Sequence, residues 1–127
     1  MRKIIQTDKA PAPVGPYNQG VVATGSILFV AGQIPLDAAS GELIGADVAA
    51  QTEKAIQNLK AVVEAAGSTL SQVVKTSVFL KDMNDFAAMN EVYANHFGDK
   101  EAPARACVEV ARLPKDVLVE IECIAMV

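Results

Sequence analysis

Arg105, Cys107 and Glu109 alternate with Ala106, Val108 and Val110, and after Leu113-Pro114-Lys115-Asp116 a second alternation follows, Val119-Glu120-Ile121-Glu122-Cys123. Successive side chains of a strand point to opposite faces, so Arg105 and Cys107 share one face while Ala106 and Val108 fill the other. Arg105 presents a planar, permanently charged fork suited to a carboxylate or phosphate. The alternative is a structural salt bridge to Glu109, Glu120 or Glu122. Cys107 is either a functional thiol or a small buried hydrophobe.

Register decides whether these groups meet. The two alternating runs read as neighbouring strands joined by the turn at 113–116. Pairing Arg112 with Val117 places Glu120 and Glu122 on the face of Arg105 and Cys107. A slip of one residue sets Cys107 opposite Cys123 and sends the glutamates to the other side. The first arrangement is favoured, because it lets Arg105 offset the carboxylates and leaves Val117, Val119 and Ile121 for the helices.

Other polar groups add to the candidate set. Tyr17 follows Gly15-Pro16 on a segment rich in proline, where its ring can line a pocket and its hydroxyl can reach a ligand, or simply pack at the surface. Asn90 interrupts an apolar helical stripe beside Phe86 and Tyr93, as a helix-packing contact or a pocket group. His96 is the single histidine and falls late in a helix, where an end-of-helix surface or core role is the ordinary one. Cys107 and Cys123 lack metal-ligand spacing, and no Gly-rich phosphate loop, Ser/His/Asp set or Cys/His cluster is present. An enzyme built from these residues is expected to work without metal or cofactor.

The positioning elements follow from pattern. Residues 3–6 suggest a strand, and Pro11, Pro13 and Pro16 force an irregular segment after it. Strands near 19–23 and 27–31, separated by Gly25-Ser26, predict a hairpin. Asp47 as N-cap and Gly67 as C′ residue bound a helix with Val48, Ala55, Ile56, Leu59, Val62, Val63 and Ala66 along its stripe. Val73 to Leu80 reads as a β-branched strand. Asp82, Asn84 and Asp85 offer caps for a second helix carrying Phe86, Met89, Tyr93 and Phe97 and ended by Gly98. Strands at about 105–111 and 117–125 complete the pattern. The whole chain, 1–127, is thus expected to be one α+β domain: a single mixed β-sheet with two helices packed on one face. Apolar residues on both sides of the last strand leave a face needing cover. At roughly 25 cal/mol per Å², exposing it forgoes several kcal/mol, so a neighbouring subunit is expected there.

Composition narrows the function classes. With 51% hydrophobic residues and a mean hydropathy of +0.26, the chain is not disordered, and self-association is favoured. A net charge of −4, 5% aromatics and no Trp argue against nucleic-acid binding. The N-terminal residues lack the apolar core of a signal peptide, and no apolar run approaches the roughly 18 residues of a membrane span. A cytoplasmic protein with no membrane association is the expectation.

Pro103-Ala104-Arg105-Ala106-Cys107-Val108-Glu109-Val110, the Leu113-Pro114-Lys115-Asp116 turn and Val119-Glu120-Ile121-Glu122 together resemble the C-terminal signature of the Rid family of reactive intermediate deaminases, also called YjgF-like proteins. The resemblance extends through Gly15-Pro16-Tyr17-Asn18-Gln19-Gly20, Gly32-Gln33-Ile34-Pro35, Val62 to Gly67 and Val74 to Phe86, and so covers nearly the whole chain. It implies a chorismate-mutase-like α+β fold, a homotrimer with sites between subunits, and hydrolysis of 2-imino acids and enamines to 2-oxo acids and ammonia. Candidate substrates are 2-aminoacrylate, 2-iminopropanoate and 2-iminobutanoate. It further implies that Arg105 binds the substrate carboxylate and Glu120 activates water, with Tyr17, Gly32, Asn90 and Cys107 lining the cleft. Many members carry Ser or Thr before the Gly-Gln pair where this chain has Ala31, which bears on substrate preference.

The competing readings are a small-carboxylate-binding regulatory module, an endoribonuclease or translation inhibitor, and a holdase chaperone. Acidity and scarce aromatics weigh against the ribonuclease, and nothing in the sequence singles out a chaperone.

Overall fold

Asp47 begins the first helix as its chemistry predicts, its carboxylate accepting from the Ala50 backbone N–H at 2.8 Å. The computed structural model describes residues 2–98 and 100–127. Helix α1 spans Val48–Ala65 and ends where Gly67 takes φ +83°, with the Gly67 and Ser68 N–H groups bonding back to Glu64 and Val63. Val48, Ala55, Ile56, Leu59 and Val63 are buried, while Val62 turns outward. Helix α2 spans Phe86–Phe97, follows a short 3-10 turn capped by Asp82, and stops at Gly98 with φ +69°.

The strands are β1 (Arg2–Ile5), β2 (Gly20–Ala23), β3 (Ile27–Gln33), β4 (Val73–Leu80), β5 (Ala104–Glu109) and β6 (Val119–Met126). They form not one sheet but two: an antiparallel pair β1-β2, and a mixed four-stranded sheet in the order β3-β6-β4-β5, with β4 and β5 parallel. The α+β class holds, whereas the single sheet is corrected. Nor do 20–23 and 27–33 form a hairpin, because β2 pairs with β1 and β3 pairs with β6. Gln19 favours this arrangement by closing the proline-rich excursion: its side-chain amide donates to the carbonyls of Thr7, Ala10 and Pro11, and its oxygen accepts from the Thr7 N–H.

A second correction concerns β5 and β6, which are not neighbours. Strand β4 lies between them, with Thr76 level with both Arg105 and Cys123, and Val78 level with both Cys107 and Ile121. Cross-strand partners share a face, so Arg105 and Cys107 lie on the side of Val119, Ile121 and Cys123, and Glu120 and Glu122 lie on the opposite side with Phe79 and Ser77. The favoured register is therefore overturned. The face assignment follows the slipped alternative, although neither proposed pairing forms. The physical reason is that β4, with Val73, Thr76, Val78 and Leu80 buried, demands a place inside the sheet. The 113–116 segment contains a 3-10 turn with Lys115 and Asp116 at positive φ rather than a tight hairpin turn.

Both helices cover one face. Their buried stripes meet Val30, Val73, Val78, Leu80, Val119, Ile121 and Cys123 in a continuous core. The other face is open: Phe29 is 73% exposed, Ile27 56% and Val108 46%. Among the described residues no helix is long and apolar enough to cross a membrane.

Candidate active site

Arg105 is the first residue after Ala104 on β5, the edge strand, so its side chain emerges beneath α2 rather than into solvent. The guanidinium donates from one Nη to the Asn90 Oδ1 at 2.7 Å. Aromatic rings surround it, with the central carbon 4.8 Å from the Tyr93 ring centre, 5.0 Å from Tyr17 and 5.6 Å from Phe86. Each such contact contributes about 0.5–2 kcal/mol, the larger values applying to desolvated cations. Among the described residues Arg105 forms no ion pair with Glu109, Glu120 or Glu122, so the structural salt bridge is not what holds it. Burial lowers its pKa, opposed by the nearby Tyr93, Cys107 and Tyr17 groups. Among the described residues no anion pairs with this half-buried cation, which makes it a candidate for an anionic ligand.

Helix α2 supplies the ceiling because Phe86, Asn90 and Tyr93 recur at four- and three-residue spacing and so share a face. Tyr93 is fixed in turn by a 2.7 Å hydroxyl contact with buried Thr76 and by stacking on Phe97. Its phenol is pushed up to about 12, chiefly by burial, so it stays neutral. Tyr17 is held from its own loop, its hydroxyl accepting from the Val14 N–H at 3.2 Å and leaving its proton free to donate. Val14, Tyr17, Phe86, Arg105 and Cys107 enclose a cavity of about 120 Å³. The Cys107 thiol is pushed up by burial against a smaller opposing effect of Arg105, which keeps it a weak donor rather than a thiolate.

Glu120 and Gly32 lie together on the far face. An ideal Cβ on Gly32 would fall 2.5 Å from the Glu120 Oε2 and 2.8 Å from its carboxyl carbon. Burial and then the adjacent Glu122 raise the Glu120 pKa. A basin of about 420 Å³ lined by Phe29, Ala31, Lys75, Ser77 and Glu122 occupies the same face. Of the sequence-derived candidates, Tyr17, Asn90, Arg105 and Cys107 thus gather at one place in a single chain, while Gly32 and Glu120 gather at another.

A family model described as endoribonuclease L-PSP matches residues 7–127. A RutC family protein of Pyrococcus horikoshii is 56% identical over 125 residues, 98% of each chain. The 2-iminobutanoate/2-iminopropanoate deaminase of Escherichia coli K12 is 53% identical over 128 residues, 99% of this chain and 98% of its own. The chain belongs to the endoribonuclease L-PSP family, the YjgF-like or Rid group. Among solved members of this family, Escherichia coli TdcF with bound serine superposes with a TM-score of 0.75 at 50% identity over 98% of each chain. A putative endoribonuclease of Thermotoga maritima gives 0.77 at 47% identity, over 100% of this chain and 98% of its own.

In the sequence pattern Phe86 and Tyr93 belong only to the helix stripe, and Val14 and Gly15 carry no signal of a role at the site. Asn90 was the available signal: a polar residue inside an apolar stripe marks where that stripe stops facing the core. Nothing comparable marks Val14, which is 75% exposed. His96, at the end of α2, contacts Glu53 of α1 and is remote in role from Arg105.

Proposed function

We propose that this chain hydrolyses short 2-imino acids, and their enamine tautomers, to 2-oxo acids and ammonia, without a cofactor, at sites completed between copies of a homotrimer. The observation that carries this reading is the Arg105 guanidinium, clamped by Asn90 and three rings beside a small cavity whose described lining residues include no carboxylate. Its remaining N–H groups suit the carboxylate of a substrate of a few heavy atoms. Relatives named as 2-iminobutanoate/2-iminopropanoate deaminases support the reaction, and serine bound to TdcF supports a ligand of amino-acid size.

The chemistry needs little beyond placement. The carbon of a C=N bond is already electrophilic, and holding it beside a water converts a bimolecular encounter into an oriented step. Glu120 takes a proton as the water oxygen bonds to C2. Glu120 returns that proton to the nitrogen, which the Cys107 thiol can hydrogen-bond, and then relays the proton of the new hydroxyl to the amine, so that the C–N bond breaks and ammonia leaves as the carbonyl forms. A carboxylate with a raised pKa is better matched to both proton transfers than one at its ordinary value. Cys107 serves as a wall and donor, since its burial disfavours the thiolate an attack would require.

Because Glu120 and Arg105 lie on opposite faces of one sheet, the water-activating group has to reach the carboxylate anchor from another copy. Exposed Phe29, Ile27 and Val108 give that copy an apolar surface to cover. The test is to generate the imine in situ with a pyridoxal-dependent dehydratase acting on serine or threonine, and to follow the oxo acid with and without this protein. Acceleration by wild type that disappears in Arg105→Ala is expected. No acceleration, or full activity in the variant, overturns the assignment.

A further inference from the structure

Two glycines lie directly against the two charged groups, and neither owes its identity to a left-handed backbone. Gly15 and Gly32 have no positive φ, unlike Gly25, Gly41, Gly45, Gly67 and Gly98. Around Gly41, Gly67 and Gly98 a Cβ would meet nothing within 4 Å. At Gly15 it would lie 2.9 Å from an Nη of Arg105 and 3.3 Å from the Asn90 amide nitrogen. At Gly32 all three nearest atoms, at 2.5, 2.8 and 3.1 Å, belong to the Glu120 side chain. Each glycine therefore leaves open the space occupied by one charged side chain.

The backbone arranges this differently in the two places. Gly15 starts the turn in which Tyr17 N–H bonds to the Gly15 carbonyl at 2.8 Å, bringing Tyr17 and the Gly15 α-carbon over the guanidinium together. Gly32 sits in a bulge: β3 advances from Val30 to Gln33 while β6 advances only from Cys123 to Ile121. The extra residue lets the Gly32 α-carbon settle on the Glu120 carboxylate.

We propose that Gly15 and Gly32 are positioning residues, Gly15 setting where Arg105 holds the substrate carboxylate and Gly32 setting where Glu120 meets the water. This rests on the deaminase reading and assigns Gly32 an action through Glu120 in place of a direct substrate contact. The atoms nearest each added methyl belong to side chains and not to backbone, so the charged side chain gives way before the fold does. A misplacement of about 1 Å can nonetheless lower a rate on the order of a hundredfold. Separate kinetic signatures follow, since the anchor acts on binding and the base on turnover.

The experiment compares Gly15→Ala and Gly32→Ala with Gly20→Ala, where the new Cβ makes only an ordinary contact, 3.5 Å from that of Ile5. Imine hydrolysis, 2-oxobutanoate binding, thermal melting and the ¹³C-NMR titration of the Glu120 carboxyl are measured for each. Gly32→Ala should lower kcat by roughly tenfold to a hundredfold, keep KM within about twofold and move the Glu120 titration. Gly15→Ala should raise KM and the 2-oxobutanoate Kd about tenfold with kcat largely kept. Both should melt near Gly20→Ala. Kinetics and titration matching Gly20→Ala overturn the proposal. So does unfolding of either variant, because the fold would then have given way before the side chain. If wild type hydrolyses no imine, the deaminase reading fails by itself, while the Glu120 titration and 2-oxobutanoate binding still report whether each glycine sets its partner's position.

Discussion

The two faces of the four-stranded sheet treat charge in opposite ways. On the helix side, Arg105 is held by Asn90, three rings and a tightly packed loop. On the open side, among the described residues, Glu120, Glu122 and Lys75 form no ion pair and stand beside exposed Phe29 and Val108. The first region is finished within one chain, and the second has the composition of half an interface. On the proposed reading, one chain builds recognition by itself and leaves proton transfer to be completed by contact with another copy.

The sharpest way to break that contrast is at Arg105. On the proposed reading Arg105→Ala removes a bidentate charged contact to the substrate carboxylate in which each hydrogen bond is worth about 1.5–3 kcal/mol, so kcat/KM should fall by roughly 10²–10⁴. Arg105→Lys keeps the charge without the fork and should recover only part. Glu120→Gln should lower kcat by about 10²–10⁴ while leaving the Kd of a 2-oxo acid within about threefold. Equal loss of both would make Glu120 structural. Phe29→Glu places a charge in the apolar surface of the open face and should shift the assembly to smaller species in light scattering, with the helix-side fold intact by circular dichroism.

Mixing tests the division between copies directly. Arg105→Ala and Glu120→Gln chains, each inactive, are unfolded and refolded together. Sites shared between subunits should return up to about a quarter of wild-type activity, because random assembly restores both partners at one site in four. No regain would place both groups in one chain's site. The smallest effect concerns pH and stability. The folded-state pKa of Glu120 is raised, so its favourable contribution is fully present below the ordinary carboxylate range and is lost as pH rises through the folded value. Glu120→Gln should accordingly melt slightly above wild type at neutral pH, and the gap should close in acid. Activity should rise with pH across that same window as the base ionises.

Local signals in the sequence were strong where one element decides its own fate. Asp47 and Gly67 bounded α1, Gly98 ended α2, and the Val73–Leu80 and Phe86–Phe97 spans were readable from β-branching and apolar spacing. Strand order was not readable in this way. Whether β4 enters between β5 and β6 depends on the crossover through α2 and on how completely β4 is buried, and the Leu113-Pro114-Lys115-Asp116 turn gave a misleading hint of a hairpin. The pairing of β1 with β2 across a proline-rich excursion is likewise non-local. At the site, Arg105, Cys107, Tyr17 and Asn90 were legible as residue types out of place in apolar or irregular surroundings. The separation of Glu120 from them was not, because alternation fixes which residues share a strand face and leaves open which strand faces coincide.

The order β3-β6-β4-β5 also constrains how the molecule comes into being. Residues 27–33 find their ladder partner about 90 positions later, in 119–126, and Arg2 is anchored on the carbonyls of Val73 and Glu101. During synthesis β3 must therefore wait as an unpaired strand, with Phe29 and Ile27 uncovered, until residues 119–126 have emerged. Long-range pairings of this kind slow folding, because the loop entropy is lost before the contacts are gained. The same segment that carries Glu120 is then the piece that closes the sheet, so on the proposed reading the water-activating group arrives in the step that completes the fold.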